Sequence, residues 1–326
     1  MSNEPSPHAA RVGKPKVLFI GGWTRSGSTL LDVLVGANTG FFSTGELSSF
    51  WERGLVKGRQ CGCGLRVREC PVWTSVMERA FGSVEDHIAR APHIMAWQRE
   101  AVRLKNLPRL LAHGRKGSSW EPLDSYMEVL DALYRAIAEV TGASVIVDSS
   151  KNVQDAAVLR LLPGVDPFLV HLVRDPRAVA HSMQRKVMLQ ADESDPVDMP
   201  RSSPASSAAG WTRVNAAAEI VRRAYGPGRS IRVRYEDLAA DPRAVTQSLV
   251  RFTGEQPGGV DFLDSKTLML PGNHTVWGNS SRFRTGRLEV RSDDEWTRKL
   301  TRSGRLVPTA LTLPLLPRYG YPIVVG

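Results

Sequence analysis

The stretch Lys16–Ala37, KVLFIGGWTRSGSTLLDVLVGA, decides the fold. Lys16 to Gly21 form a short apolar run ending in glycine, and Thr29 to Ala37 place apolar residues at helical spacing. The stretch therefore reads as a strand, a glycine-rich loop and a helix. Such an opening predicts an alternating α/β chain, whose parallel strands are buried on both faces beneath the connecting helices.

Working outward, Ser144–Asp148 (SVIVD) and Pro167–Val173 (PFLVHLV) flank a helical pattern over Val153–Leu162, which makes a βαβ unit. A fourth strand is predicted at Ser230–Tyr235, after a helical segment over Ala205–Ala224. Asp241 and Pro242 then supply an N-cap and a first-turn proline for another helix. The expected architecture is a three-layer α/β fold around a central parallel sheet. It carries a helical insertion over residues 42–141, interrupted at Gly114–Pro122 and expected to hold two or three helices that form a lid. Residues 1–15 read as a flexible tail, 16–326 as one domain, and the Pro/Ser-rich 190–207 as a mobile loop beside the substrate pocket.

Composition narrows the function classes. With 326 residues and 42% hydrophobic content the chain can bury a core, which excludes disorder as the default. The formal charge of +10 predicts an anionic ligand. Because the arginines are scattered, with no long basic run, nucleic acid is not the expected partner. No apolar stretch reaches the ~18 residues of a membrane span, and Leu311–Val325 is broken by Pro314, Pro317 and Pro322. Met1–Lys16 lacks the apolar core of a secretory signal, so a cytoplasmic location is expected. Cys61, Cys63 and Cys70 are too few and too local for a disulfide framework. They lack a paired CxxC or a suitably spaced histidine, so reduced thiols and no metal are expected.

Two segments carry phosphate chemistry. Gly22–Thr29, GWTRSGST, has the spacing of a Walker A loop, with Ser28 where that loop needs lysine. A nucleoside triphosphatase uses the lysine on its phosphates and a magnesium ion beside it. Here the cation is Arg25, three residues earlier, and the loop suits an anion held by backbone N–H groups at a helix start without a metal. The second segment is Val173–Ser182, VRDPRAVAHS, which puts Arg174 at a strand's carboxyl end, where open α/β sheets bind ligands. Asp175 and Pro176 start the following helix, and Ser182 lies two turns along it.

TRSGSTLL and RDPRAVAHS together resemble the two phosphate motifs of the sulfotransferases that use 3′-phosphoadenosine 5′-phosphosulfate, in particular bacterial members and the carbohydrate and tyrosylprotein branch. The resemblance implies a P-loop-like fold in which Arg25 holds the sulfuryl oxygens while Ser26, Gly27, Ser28 and Thr29 wrap the 5′-phosphate. It assigns Arg174 and Ser182 to the 3′-phosphate, and Tyr235 in RYEDL to the adenine. FRTG, within Gly278–Gly286, resembles the FRKG of a loop that closes over the 3′-phosphate, which implies Arg284 and Gly286, with Arg282 as a further cation. The family's downstream Gly-Asp-Trp is absent; Asp294, Glu295 and Trp296 stand near that place.

The implied reaction passes a sulfuryl group to a hydroxyl or amine of a small-molecule acceptor, a carbohydrate or natural product, leaving 3′,5′-ADP and requiring no metal. Arg25 and Lys151, the latter in DSSK after the second predicted strand, are the expected catalytic cations. Glu46 in STGEL resembles the base of the carbohydrate and tyrosylprotein branch, and Asp148 is the alternative base. His171 and His181 read as sheet and helix-face residues. Two rival classes are a nucleotide kinase or NTPase on a related loop, and a non-catalytic nucleotide- or nucleic-acid-binding module. The sequence does not fix the oligomeric state.

Overall fold

A computed structural model of the chain describes residues 13–113, 119–185 and 201–324. In chain order the opening is β1 (Lys16–Gly22), α1 (Ser28–Gly36) and β2 (Phe41–Gly45). Four helices follow: α2 (Pro71–Phe81), α3 (Val84–Ala101), α4 (Leu107–Ala112) and α5 (Glu121–Thr141). The sheet resumes with β3 (Val145–Lys151), α6 (Val153–Leu159), β4 (Asp166–Val173), α7 (Pro176–Gln184), α8 (Pro204–Tyr225) and β5 (Ser230–Arg234). After α9 (Tyr235–Ala240) and α10 (Pro242–Phe252), a small antiparallel sheet forms from β6 (Asp261–Phe262), β7 (Thr267–Leu270) and β8 (Gly286–Glu289). Helices α11 (Trp296–Lys299) and α12 (Arg302–Thr312) complete the order.

The five main strands run parallel in the order β2-β3-β1-β4-β5. Successive residues of β1 explain the three layers. Val17 and Phe19 point into a core built with α2, α3, α5, α6 and α8, whereas Leu18 and Ile20 point into a second core with α1 and α10. All four are at most 1% exposed, so β1 is buried on both faces, as its unbroken apolar run requires. The caps read in the sequence form: Asp175 accepts from the Arg177 N–H at 2.9 Å, and Asp241 accepts from the Ala244 N–H at 2.9 Å.

Two boundaries differ from the sequence reading. Phe41–Gly45, assigned largely to the helical insertion, is the edge strand β2, so the insertion begins after it and holds four described α-helices, besides a π-helical segment at Phe50–Val56 and short 3-10 turns. Phe41, Phe42 and Thr44 favour a strand, but the run is only five residues long and lacks the aliphatic stretch that marks the inner strands. The expected loop at 190–207 lies outside the described residues up to 200, and Pro204 already starts α8. The expected tail falls outside them over residues 1–12.

Candidate functional site

The carboxyl ends of β1, β3 and β4 meet at one edge of the sheet, and the candidate residues gather there. Between β1 and α1 the chain makes a tight loop. Gly27 takes φ 92°, and a Cβ there would come within 2.5 Å of the Tyr235 ring, so only glycine lets loop and ring close together. Arg25 also adopts a left-handed backbone, φ 65°, a conformation that costs a side-chain-bearing residue about 1 kcal/mol or more. Helix α1 begins at Ser28 with no side-chain cap and no acid in its first turn. Its first N–H groups therefore face the loop with the positive end of the helix behind them.

Across this loop stands Arg174, 5% exposed. Its Nη1 donates to the Arg25 carbonyl at 3.0 Å, and its guanidinium lies 4.2 Å from the centre of the Tyr235 ring. Its Nη2 donates to Asp293 Oδ2 at 2.9 Å, and Arg185 shares the same oxygen at 2.7 Å. The two phosphate segments thus line one crevice of about 420 Å³, together with Ser182, Lys151 and Arg284. Five cations, Arg25, Lys151, Arg174, Arg185 and Arg284, face it against the single carboxylate of Asp293. Burial, then the charges of Arg185 and Arg174, push the Arg25 pKa down, as for a cation crowded by like charge.

The crevice also holds polar atoms with no partner among the described residues. Arg25 Nε and Arg174 Nε are buried and unpaired, as is Ser26 Oγ in the loop behind, although Ser26 is not among the residues lining the crevice. Buried polar groups are normally hydrogen-bonded, so this set fits an anionic ligand bearing several acceptor oxygens. A second compartment of about 400 Å³ adjoins the first and shares Thr24 and Lys151 with it. Its lining includes Glu46, Ser48, Ser150, Asn152, Arg213 and Trp277.

Lys151 ends β3 with φ 70° and forms an ion pair with Glu46 Oε1. The Glu46 N–H donates to the Trp277 carbonyl at 3.0 Å, which fixes the carboxylate's starting point. Asp148 sits elsewhere. It is 3% exposed, accepts from Tyr134 Oη and Ser150 Oγ at 2.5 Å each, and lines neither compartment. Burial raises its pKa despite those hydrogen bonds. His171 is fully buried on β4 against Asn215 at 2.8 Å, and His181 lies on α7.

The later loop divides the predicted residues. Ser280–Phe283 form a 3-10 turn started by Asn279, whose side chain accepts from the Ser281 N–H at 3.0 Å. A period of three puts Ser281 and Arg284 on the crevice and turns Arg282 inward. Arg282 is 0% exposed and donates to the carbonyls of Thr275 at 2.8 Å and Gln60 at 2.7 Å. It is absent from the crevice lining, as is Gly286, which starts β8. Asn279, Ser281, Arg185 and Asp293 line the crevice without having been singled out in the sequence. So does Arg213 in the second compartment.

Asp32 was also missed. It lies on the buried face of α1, 1% exposed, and accepts a hydrogen bond from Ser43 Oγ. Burial raises its pKa to about 7, with the Ser43 hydrogen bond opposing and Asp148 adding. The folded-state pKa exceeds the unfolded one, so this group's stabilisation is full below about pH 4 and is lost as pH rises toward about 7. Asp32→Asn is expected to raise stability at pH 8 by about 2 to 4 kcal/mol and to flatten the fall between about pH 4 and pH 7. Urea unfolding at both pH values checks this.

The three cysteines cluster with a residue far along the chain. His274 Nδ1 lies 3.2 Å from Cys70 Sγ and 3.9 Å from Cys61 Sγ. The missing fourth donor, which was the ground for expecting no metal, is therefore present in space.

Comparison with known proteins gives one family match: the model described as "Sulfotransferase family" matches residues 15–256. None of the curated proteins is significantly similar to the chain. Among solved structures it is similar to the sulfotransferase domain of the Synechococcus PCC 7002 olefin synthase, at 24% identity over 75% of each chain and a TM-score of 0.43. It is also similar to the sulfotransferase domain from the curacin biosynthetic pathway, at 17% identity over 95% of this chain and 100% of that one, with a TM-score of 0.49. A sulfotransferase from Mycobacterium tuberculosis aligns at 16% identity over 75% of this chain and 69% of its own, with a TM-score of 0.41.

Proposed function

The chain belongs to the sulfotransferase family, and from that premise we propose that its crevice binds 3′-phosphoadenosine 5′-phosphosulfate and its second compartment the acceptor. The observation that carries this reading is the convergence of both phosphate segments on one crevice of about 420 Å³, within the ~300–1,000 Å³ usual for small-molecule sites. Arg174 and Ser182 would hold the 3′-phosphate, with Arg284 closing from the later loop. Arg25, Ser26, Gly27, Ser28 and Thr29 would hold the 5′ end, and Tyr235 the adenine. Gly286 serves the closing loop by its place beside Arg284. Arg282 belongs to the packing beneath.

When bound, the donor supplies an activated sulfuryl group on a phosphate leaving group. Glu46 then takes the acceptor's proton, and Arg25 and Lys151 hold the negative charge that develops. The Glu46–Lys151 ion pair links these roles. Protonating the carboxylate removes the partner of the Lys151 ammonium and leaves its charge to the donor crevice, which it also lines.

The acceptor compartment presents Ser48, Ser49, Ser150, Asn152 and Gln154 between Trp23 and Trp277, a lining suited to a polyhydroxyl molecule. A hydroxyl, or an amine, of a carbohydrate or natural product is the acceptor this supports, in keeping with a carbohydrate or tyrosylprotein branch. The reading makes residues 16–326 one domain acting in the cytoplasm on a small molecule, with the α2–α5 helices as its lid and neither nucleic acid nor a crevice metal required. Among the described residues no helix is long and apolar enough to cross a membrane.

Thermal shift tests the donor. Stabilisation by 3′,5′-ADP without magnesium, about 2.7 kcal/mol at a hundredfold excess over Kd, is expected. Stabilisation only by ATP with magnesium would assign the crevice to a kinase or NTPase, and stabilisation only by oligonucleotides to a binding module.

A further inference from the structure

We propose that Cys61, Cys63, Cys70 and His274 bind one zinc ion, which fastens the start of the helical insertion to the strand segment beside Glu46. The four donor atoms lie within 4.8 Å of one another. Cys70 Sγ is 3.7 Å from both Cys61 Sγ and Cys63 Sγ. A tetrahedral zinc ion with bonds of about 2.3 Å to sulfur sets its sulfurs about 3.8 Å apart, whereas a disulfide holds them at about 2.05 Å. The spacing is that of ligands around a metal.

The chain around the donors is shaped for this. The Cys61 N–H donates to the Leu65 carbonyl at 2.7 Å and the Gly64 N–H to the Cys61 carbonyl at 2.9 Å, so Cys61 and Cys63 leave a tight turn on the same side. A Cβ on Gly62 would come within 2.0 Å of Asn273 Oδ1, so the turn packs directly on the segment bearing His274. Trp73 Nε1 donates to the His274 carbonyl at 2.7 Å, and the Phe42 ring lies nearly parallel to the imidazole. Cys61 and Cys70 are fully buried while Cys63 is exposed, which leaves a path for the ion.

Arg282 supplies an independent reason. Its guanidinium is fully buried and, beyond its hydrogen bonds to the Thr275 and Gln60 carbonyls, forms no ion pair within 4 Å among the described residues. Cys61, Glu46 and Cys63 are the groups that act on it electrostatically, and Glu46 is already paired with Lys151. A buried cation needs a counter-charge. Three thiolates, a neutral imidazole and a dication sum to one negative charge, which Arg282 balances. Four protein ligands close the coordination sphere, so the ion's role is structural. Val276 and Trp277 follow His274, and their backbone pairs with Thr44 and Glu46. The ion thereby steadies the strand that positions the carboxylate.

Metal analysis of the tag-free full chain is expected to give about one zinc per chain, and a zinc chelator to lower Tm by about 5 °C or more. Cobalt substitution is expected to give the intense visible bands of a tetrahedral thiolate site. Cys63→Ser and His274→Ala, the two exposed or half-exposed ligands, are expected to lose most of the metal at equal chelator. A metal-free chain that takes up no added zinc, shows three freely titrating thiols and melts unchanged with chelator overturns the proposal. Full zinc retained in both variants overturns it too, because the ion would then sit elsewhere.

Discussion

Glu46→Gln is expected to lower kcat by about 10²- to 10⁴-fold while leaving the affinity for 3′,5′-ADP unchanged within about twofold. The isosteric amide keeps the side chain's size but cannot take the acceptor's proton. It also gives up the ion pair with Lys151, so rate alone does not separate the two losses. A pH profile does: an acidic limb of kcat is expected in the native enzyme and is expected to vanish in the variant. The measurement uses whichever acceptor a carbohydrate and natural-product screen identifies. An active Glu46→Gln enzyme with its acidic limb intact would remove Glu46 from the base role. Asp148 is poorly placed to replace it, since its oxygens are occupied by Tyr134 and Ser150 and it lines neither compartment.

Arg174→Ala is expected to weaken 3′,5′-ADP binding by about 30- to 1,000-fold, or about 2 to 4 kcal/mol, the loss for a buried charge-assisted contact. Arg174→Lys is expected to recover only part of it, because an ammonium keeps the charge and not the two-pronged geometry. Calorimetry reads both. The Arg174 guanidinium already holds Asp293, so measured affinity is the difference between a phosphate contact and this internal one. The alanine variant must also be shown to melt normally, since Arg174 braces the Arg25 carbonyl and covers the Tyr235 ring. Unchanged affinity in a folded variant would remove Arg174 from the donor site.

The sheet was largely legible because its inner strands are apolar on both faces and need no partner to be recognised. β2 was not, since Phe41–Gly45 is a short edge strand without the continuous aliphatic run of the inner ones, held by pairing with β3. The two phosphate segments were legible for a related reason: each is local, the first holding a cation and its glycines, the second a cation and a helix cap, within ten residues. What escaped was decided by the phase of a turn or by distance along the chain. A 3-10 turn, not a strand, separates Ser281 and Arg284 from Arg282. His274 lies 204 residues from Cys70, so no spacing rule links them. Asp293 acquires meaning only through Arg174 and Arg185, which reach its carboxylate from the two ends of α7.

With Arg25 and Lys151 in the roles proposed, their left-handed backbone would set heat resistance against turnover. Glycine at either position would relax the main chain, yet would take a cation from the donor crevice, and at Lys151 the ion-pair partner of Glu46 as well. Variants selected for robustness alone would drift toward an inert scaffold at these two places, so any thermostabilising campaign has to hold both fixed.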